Sequence, residues 1–150
     1  MGVARLRTSL GRERRVALDT SIFIYHLEAN PRYLALTDCI FAFLERPDSF
    51  AVTSTITMTE LLVHPYRNDE VVKVYELFGL LSTYPNLEWV APNLEIAARA
   101  AEIRAQSGLR TPDALQAATA IHSKATAFLT NDPVFRRITG FEACMLDDFV

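Results

Sequence analysis

Short apolar runs alternate along this chain with longer segments in which apolar residues return every three or four positions. The two periods separate strands from helices. Arg15-Val16-Ala17-Leu18 stops at Asp19, after which Thr20 or Ser21 can cap a helix reaching Leu27 or Glu28. Tyr33 to Arg46 repeats Leu34, Ile40, Phe41, Phe43 and Leu44 at helical spacing until Pro47 ends it. Phe50 to Thr53 is a second strand, and Ser54 or Thr55 opens a helix carrying Met58, Leu61 and Leu62, with Pro65 near its end. Asn68-Asp69 is expected to cap a helix to about Leu81, followed by a strand over Leu87 to Val90. Asn93 caps an Ala-rich helix to Gln106 that Gly108 terminates, and Thr111-Pro112-Asp113 starts another lasting to about Lys124. Ala127 to Thr130 is a fourth strand, Asn131-Asp132-Pro133 starts a short helix, and Ala143 to Leu146 is the candidate fifth strand. Apolar strands alternating with helices predict a three-layer α/β/α domain with a parallel sheet of about five strands. In such a sheet ligands bind beyond the carboxyl ends of the strands.

Composition narrows the class. At 150 residues, half apolar and 22% charged, the chain has material for one packed core. Cys39 and Cys144 are too few for a disulfide framework and fit a reducing, cytoplasmic setting. No apolar stretch nears the roughly 20 residues of a membrane span. The net charge of −3 conceals an asymmetry: residues 1–15 carry five arginines against Glu13, and the rest holds 10 basic and 17 acidic side chains. Residues 1–15 are therefore expected to be an Arg-rich arm, solvated and disordered, with phosphate contact as the alternative; residues 16–150 form the domain. An acidic body binds nucleic acid only through local patches or metal ions. His26, His64 and His122 show no metal spacing and are read as surface or packing residues. Arg136 and Arg137 are read as facing solvent, with an RNA phosphate as the alternative. The helix with Val71, Val72, Val74, Leu77 and Phe78 could offer an apolar surface, though internal packing explains it equally well.

Asp19, Asp113 and Asp132 all fall at strand ends or helix starts, where turns, caps and helix dipoles explain each one singly. Glu60 sits in an apolar helix on a stripe with Ile56 and Val63, so it is either buried with a partner or at a partly exposed edge. Together the four matter more, because the junctions of a parallel sheet converge. Two charges about 5 Å apart at an effective dielectric near 20 repel by roughly 3 kcal/mol. Mg²⁺ or Mn²⁺ would relieve this, since hard divalent ions prefer carboxylate oxygen; no Cys/His motif suggests zinc. Such a site suits phosphoryl transfer.

Four segments then carry a resemblance: Leu18-Asp19-Thr20-Ser21-Ile22-Phe23-Ile24, Ser54-Thr55-Ile56-Thr57-Met58-Thr59-Glu60-Leu61-Leu62, Thr111-Pro112-Asp113-Ala114-Leu115-Gln116-Ala117-Ala118-Thr119-Ala120, and Leu129-Thr130-Asn131-Asp132-Pro133-Val134-Phe135. In order and spacing they resemble PIN domains, and within them the VapC-type toxins of toxin–antitoxin pairs. The resemblance implies a Mg²⁺- or Mn²⁺-dependent endoribonuclease that cleaves RNA with metal-activated water. It maps the acidic quartet, as catalytic residues and metal ligands, onto Asp19, Glu60, Asp113 and Asp132, with Ser21, Thr130 and Asn131 in support. It further implies a homodimer and a cognate antitoxin partner. Pro133, where a charged residue is common, and the Arg-rich extension depart from the family pattern. The rival readings are a PIN-like RNA- or protein-binding module without catalysis and a Mg²⁺-dependent phosphatase. The phosphatase would want a second Asp where Ser21 stands.

Overall fold

The structure is a computed structural model describing residues 1–12 and 15–150. Its elements in chain order are α1 (Gly2–Arg12), β1 (Val16–Leu18), α2 (Thr20–Leu27), α3 (Leu34–Leu44), β2 (Ala51–Ser54), α4 (Thr55–Arg67), α5 (Val71–Ser82) and β3 (Leu87–Val90). They continue with α6 (Leu94–Ser107), α7 (Thr111–His122), β4 (Ala127–Thr130), a 3₁₀ turn over Pro133–Arg137, β5 (Glu142–Met145) and a final 3₁₀ turn over Leu146–Phe149. The five strands form one sheet in the order β3-β2-β1-β4-β5, every pair parallel. This is the three-layer α/β/α architecture that the alternating pattern predicts.

The strands are short and apolar because both faces are covered. Leu18, Ile22, Phe23, Ile40 and Leu44 build the core on one face, under α2 and α3, and Ala17, Ile96, Ala117 and Phe128 build the other, under α6 and α7. The alanines of α7 (Ala114, Ala117, Ala118 and Ala120) are buried and let that helix lie close against α6 and β2. The chain winds outward from β1 through β2 to β3, then returns to place β4 on the other side of β1. That reversal makes the carboxyl ends of β1 and β4 the topological switch point, where doubly wound sheets bind ligands.

Local signals explain the helix ends. The Asn93 side chain accepts from the Ile96 amide at 2.9 Å and opens α6, and Gly108 closes it at φ +73°, a conformation that favours glycine. Two expectations need correction. Asn68 and Asp69 do not open α5; they close α4. Asp69 takes φ +53°, its amide bonds to the Tyr66 carbonyl, and the Glu70 amide reaches back to Pro65, so the polar pair serves the preceding helix. Nor are the first residues a solvated arm. Gly2–Arg12 is a helix whose Leu6 and Leu10 are buried against α3 and the sheet, while its arginines face outward. Val3, Leu6 and Leu10 recur at helical spacing, and burying such a stripe outweighs the cost of ordering a short charged helix.

Candidate functional site

Asp19 is the first residue past β1. Its amide donates to the Leu129 carbonyl on β4 at 2.9 Å, which ties it to the switch point. It caps α2: one carboxylate oxygen accepts from the Thr20 amide at 2.8 Å, and the other accepts from the Ser21 hydroxyl at 3.1 Å and the Thr130 hydroxyl at 2.7 Å. The side chain is only 8% exposed as a residue. Burial pushes its carboxyl up to about 6; the three donors pull it down, and the charge of Glu60 adds to the rise. Among the described residues, no positive charge is one of the groups acting on it.

Glu60 lies in the second turn of α4 and is exposed, so the edge reading holds and no buried charge has to be compensated. Its Oε1 accepts from the Thr20 hydroxyl at 2.9 Å. Asp113, in the first turn of α7, is half-buried. Burial raises its pKa, Arg110 at 3.6 Å lowers it, and the charge of Asp132 raises it again. Asp132 caps the 3₁₀ turn after β4, its carboxylate accepting from the Val134 amide at 3.0 Å, and its own amide donates to the Thr130 hydroxyl at 3.1 Å. Thr130 therefore joins the two ends of the cluster, giving its proton to Asp19 and accepting from the backbone of Asp132.

The four acids thus stand at one sheet edge as two pairs, Asp19 with Glu60 and Asp113 with Asp132, each near enough for one charge to act on the other. Among the described residues, no three Asp, Glu, His or Cys side chains close into a group that could hold a metal ion. The donor chemistry nevertheless fits a hard divalent cation. Every donor is oxygen, Arg110 beside Asp113 is the one positive side chain acting on either shifted acid among the described residues, and Asp19 is a buried carboxyl whose ionised form is met by three hydrogen bonds but by no such cation. Ser21 and Thr130 touch the Asp19 carboxylate directly. Asn131 faces elsewhere: its amide nitrogen donates to Tyr33 at 3.0 Å and Tyr25 at 3.4 Å, and its oxygen accepts from the Asp147 amide at 2.9 Å.

Sequence reasoning missed the polar layer beneath Glu60, formed by Thr20, Thr53, Thr57 and Gln116, all buried. Thr57 follows Thr53 by four positions across the β2–α4 junction, a spacing that hints at contact. Gln116 is hidden among alanines and gives no such hint. None of the histidines joins the acids: His26 stacks on Phe41 with ring centres 4.4 Å apart, His64 meets Asn68, and His122 lies 3.6 Å from Glu95. Arg136 points outward into an ion pair with Asp148.

Comparison with known proteins places this geometry in context. The PIN domain family matches residues 16–140. Among solved structures, the chain is similar to VapBC-1 from nontypeable Haemophilus influenzae, with a TM-score of 0.68 and 23% identity over 89% of this chain and 98% of that one. It is also similar to a toxin-antitoxin complex from Klebsiella pneumoniae, with a TM-score of 0.66 and 22% identity over 87% of this chain and 97% of that one. A third likeness is to VapBC2 from Rickettsia felis, solved bound to a DNA fragment from its promoter, with a TM-score of 0.66 and 20% identity over 87% and 98% of the two chains. At these identities the likeness is one of fold. No curated protein matches the chain.

Proposed function

Because the chain belongs to the PIN domain family, we propose that it is a metal-dependent endoribonuclease of the VapC type, the toxin of a toxin–antitoxin pair. The observation that carries this reading is the bridge through Thr130, which ties a buried Asp19, hard to ionise in its surroundings, to the backbone of Asp132 at the switch point of the sheet. A binding module has no use for two pairs of acids at one sheet edge, one of them a carboxyl buried against its ionisation.

Asp19, Asp113 and Asp132, with Glu60, would hold Mg²⁺ or Mn²⁺. When bound, the ion supplies charge to the phosphate and a lowered pKa to water. The chain's own residues set the stage. Ser21, Thr130 and the Thr20 amide fix both oxygens of Asp19; Thr20 turns Glu60; Arg110 offsets part of the charge on Asp113. RNA is the proposed substrate, and the products expected are a 5′-phosphate and a 3′-hydroxyl.

The solved neighbours described as toxin–antitoxin or VapBC complexes support a cognate antitoxin as partner. An apolar groove of about 770 Å³ supports protein partners too, whether an antitoxin or a second copy of this chain; Met58, Leu62, Tyr66 and Phe78 are among its lining. Val71, Val72 and Phe78 of α5 are exposed, so the surface reading of that helix applies to them, while Val74 is buried. A cytoplasmic setting is part of the proposal; among the described residues no helix is long and apolar enough to cross a membrane.

The test is cleavage of RNA by the purified protein with Mg²⁺ or Mn²⁺, with and without chelator, beside Asp19→Asn. Metal-dependent cleavage lost in the variant supports the proposal. Equal cleavage by both proteins overturns the site. Release of inorganic phosphate from monoesters would favour a phosphatase.

A further inference from the structure

The buried layer beneath Glu60 has a definite proton order. A threonine hydroxyl carries one proton and can donate only once. Thr53 lies 2.9 Å from the Leu18 carbonyl, an acceptor, and spends its proton there. The 2.8 Å contact between Thr53 and Thr57 must then be donated by Thr57. Thr57, its proton spent, accepts from the Gln116 amide nitrogen at 2.9 Å. The same nitrogen has a second proton and lies 3.2 Å from the Thr20 oxygen. Thr20 therefore accepts from Gln116, and its own proton goes to Glu60 at 2.9 Å rather than to Thr57 at 3.3 Å.

The opposite arrangement, with the Gln116 amide turned over, would draw the Thr20 proton toward Gln116. It would leave a hydroxyl lone pair facing the Glu60 carboxylate. The two ends of the chain, the Leu18 carbonyl and the Glu60 carboxylate, both select the first arrangement. All four members are buried, and no buried side-chain nitrogen or oxygen among the described residues lacks a partner. A long polar side chain among the alanines of α7 has no packing purpose that leucine would not serve.

We propose that Gln116 is a positioning residue: by donating to Thr20 and Thr57 together, it commits the Thr20 hydroxyl to Glu60 and holds that carboxylate toward Asp19. This rests on the metal-dependent reading of the site, and it assigns to α7 a role in orienting an acid carried by α4.

The test is titration of the full-length protein with Mn²⁺, alongside thermal unfolding of each variant. Gln116→Leu keeps the volume and frees the Thr20 proton to swing toward Thr57, while Thr20→Val removes the donor. Each is expected to weaken Mn²⁺ binding about tenfold, the scale of one hydrogen bond to a charged group. Thr20→Ser, which keeps the hydroxyl, should restore affinity to within about twofold of the unaltered protein. Thr119→Val is the structural control: it removes a buried hydroxyl of α7 that donates to the Leu115 carbonyl at 2.7 Å, outside this chain of hydrogen bonds, and should lower the melting temperature without changing Mn²⁺ affinity. Unchanged affinity in Gln116→Leu, or an equal loss in Thr119→Val, overturns the proposal. Should Gln116→Leu fail to fold, the contrast between Thr20→Val and Thr20→Ser decides, and equal affinities there overturn it. An unaltered protein that binds no Mn²⁺ refutes the metal-dependent function itself, a result distinct from the others.

Discussion

Replacing Asp19 by Asn should make the fold more stable at neutral pH while destroying the site. The side chain is almost fully enclosed, and its carboxyl is pushed up to about 6 from an ordinary 3.8, chiefly by burial. A carboxyl raised on folding resists ionisation, so its penalty is absent below pH 3.8, grows as the pH climbs, and is complete above about pH 6. A rise of about two pH units corresponds to about 3 kcal/mol of lost stability at pH 7.5, of which about 2 kcal/mol develops between pH 4 and pH 7.5. Asn has nearly the same size and no charge. It keeps an oxygen for the Thr20 amide but cannot accept from both Ser21 and Thr130, which returns part of the gain. The assay is urea unfolding of both proteins at several pH values. The stability difference, Asn variant minus parent, should rise by about 2 kcal/mol from pH 4 to pH 7.5. Taking the difference cancels the other carboxylates. A difference that stays flat across that range would refute the claim that Asp19 is held ionised against its surroundings.

Other outcomes follow from the same contacts. Thr130→Val should lower RNA cleavage at least tenfold and cost about 1–3 kcal/mol of stability, because it removes a donor to Asp19 and an acceptor for the Asp132 amide together; kinetics and denaturant unfolding check both. Leu6→Ala should destabilise the protein by about 2–5 kcal/mol, as for any fully buried leucine, and a near-zero effect in urea unfolding would restore the solvated-arm reading. Mg²⁺ or Mn²⁺ added at pH 7.5 should raise the melting temperature of the unaltered protein, and Asp19→Asn should show little of that rise. Gly108→Ala, at φ +73°, should cost about 1 kcal/mol while leaving cleavage intact.

The strands and most helix ends were legible in the sequence because period and caps are local properties. Asn93, Gly108 and Pro112 each mark a terminus within their own few residues. The first helix was obscured because five arginines suggest solvation, while the three apolar residues that decide the matter are spread over eight positions. Asn68-Asp69 misled for a related reason: the same residue types open one helix or close another, and only the left-handed backbone of Asp69 tells which. At the site, the four acids could be picked out one by one, but their arrangement in two pairs joined by Thr130 depends on strand order, which no local pattern encodes. The role of Asn131 had to come from its contacts, since its neighbours Thr130 and Asp132 face the cluster and it does not. Gln116 could not be read in advance at all, because its meaning lies in partners contributed by α2 and α4.

The central position of β1 has a consequence for biosynthesis. Asp19 is among the first site residues to leave the ribosome, yet the hydroxyl that holds it belongs to a strand 111 residues further on. At about 5–20 residues per second, translation needs roughly 5–20 s to supply it. During that interval β1 lacks its β4 neighbour, and until β2 is made it lacks both, while Asp132 follows β4 itself. Assembly of the site thus waits for β4 and Asp132, and until both have emerged the acids contributed by the earlier segments have no closed edge to stand on.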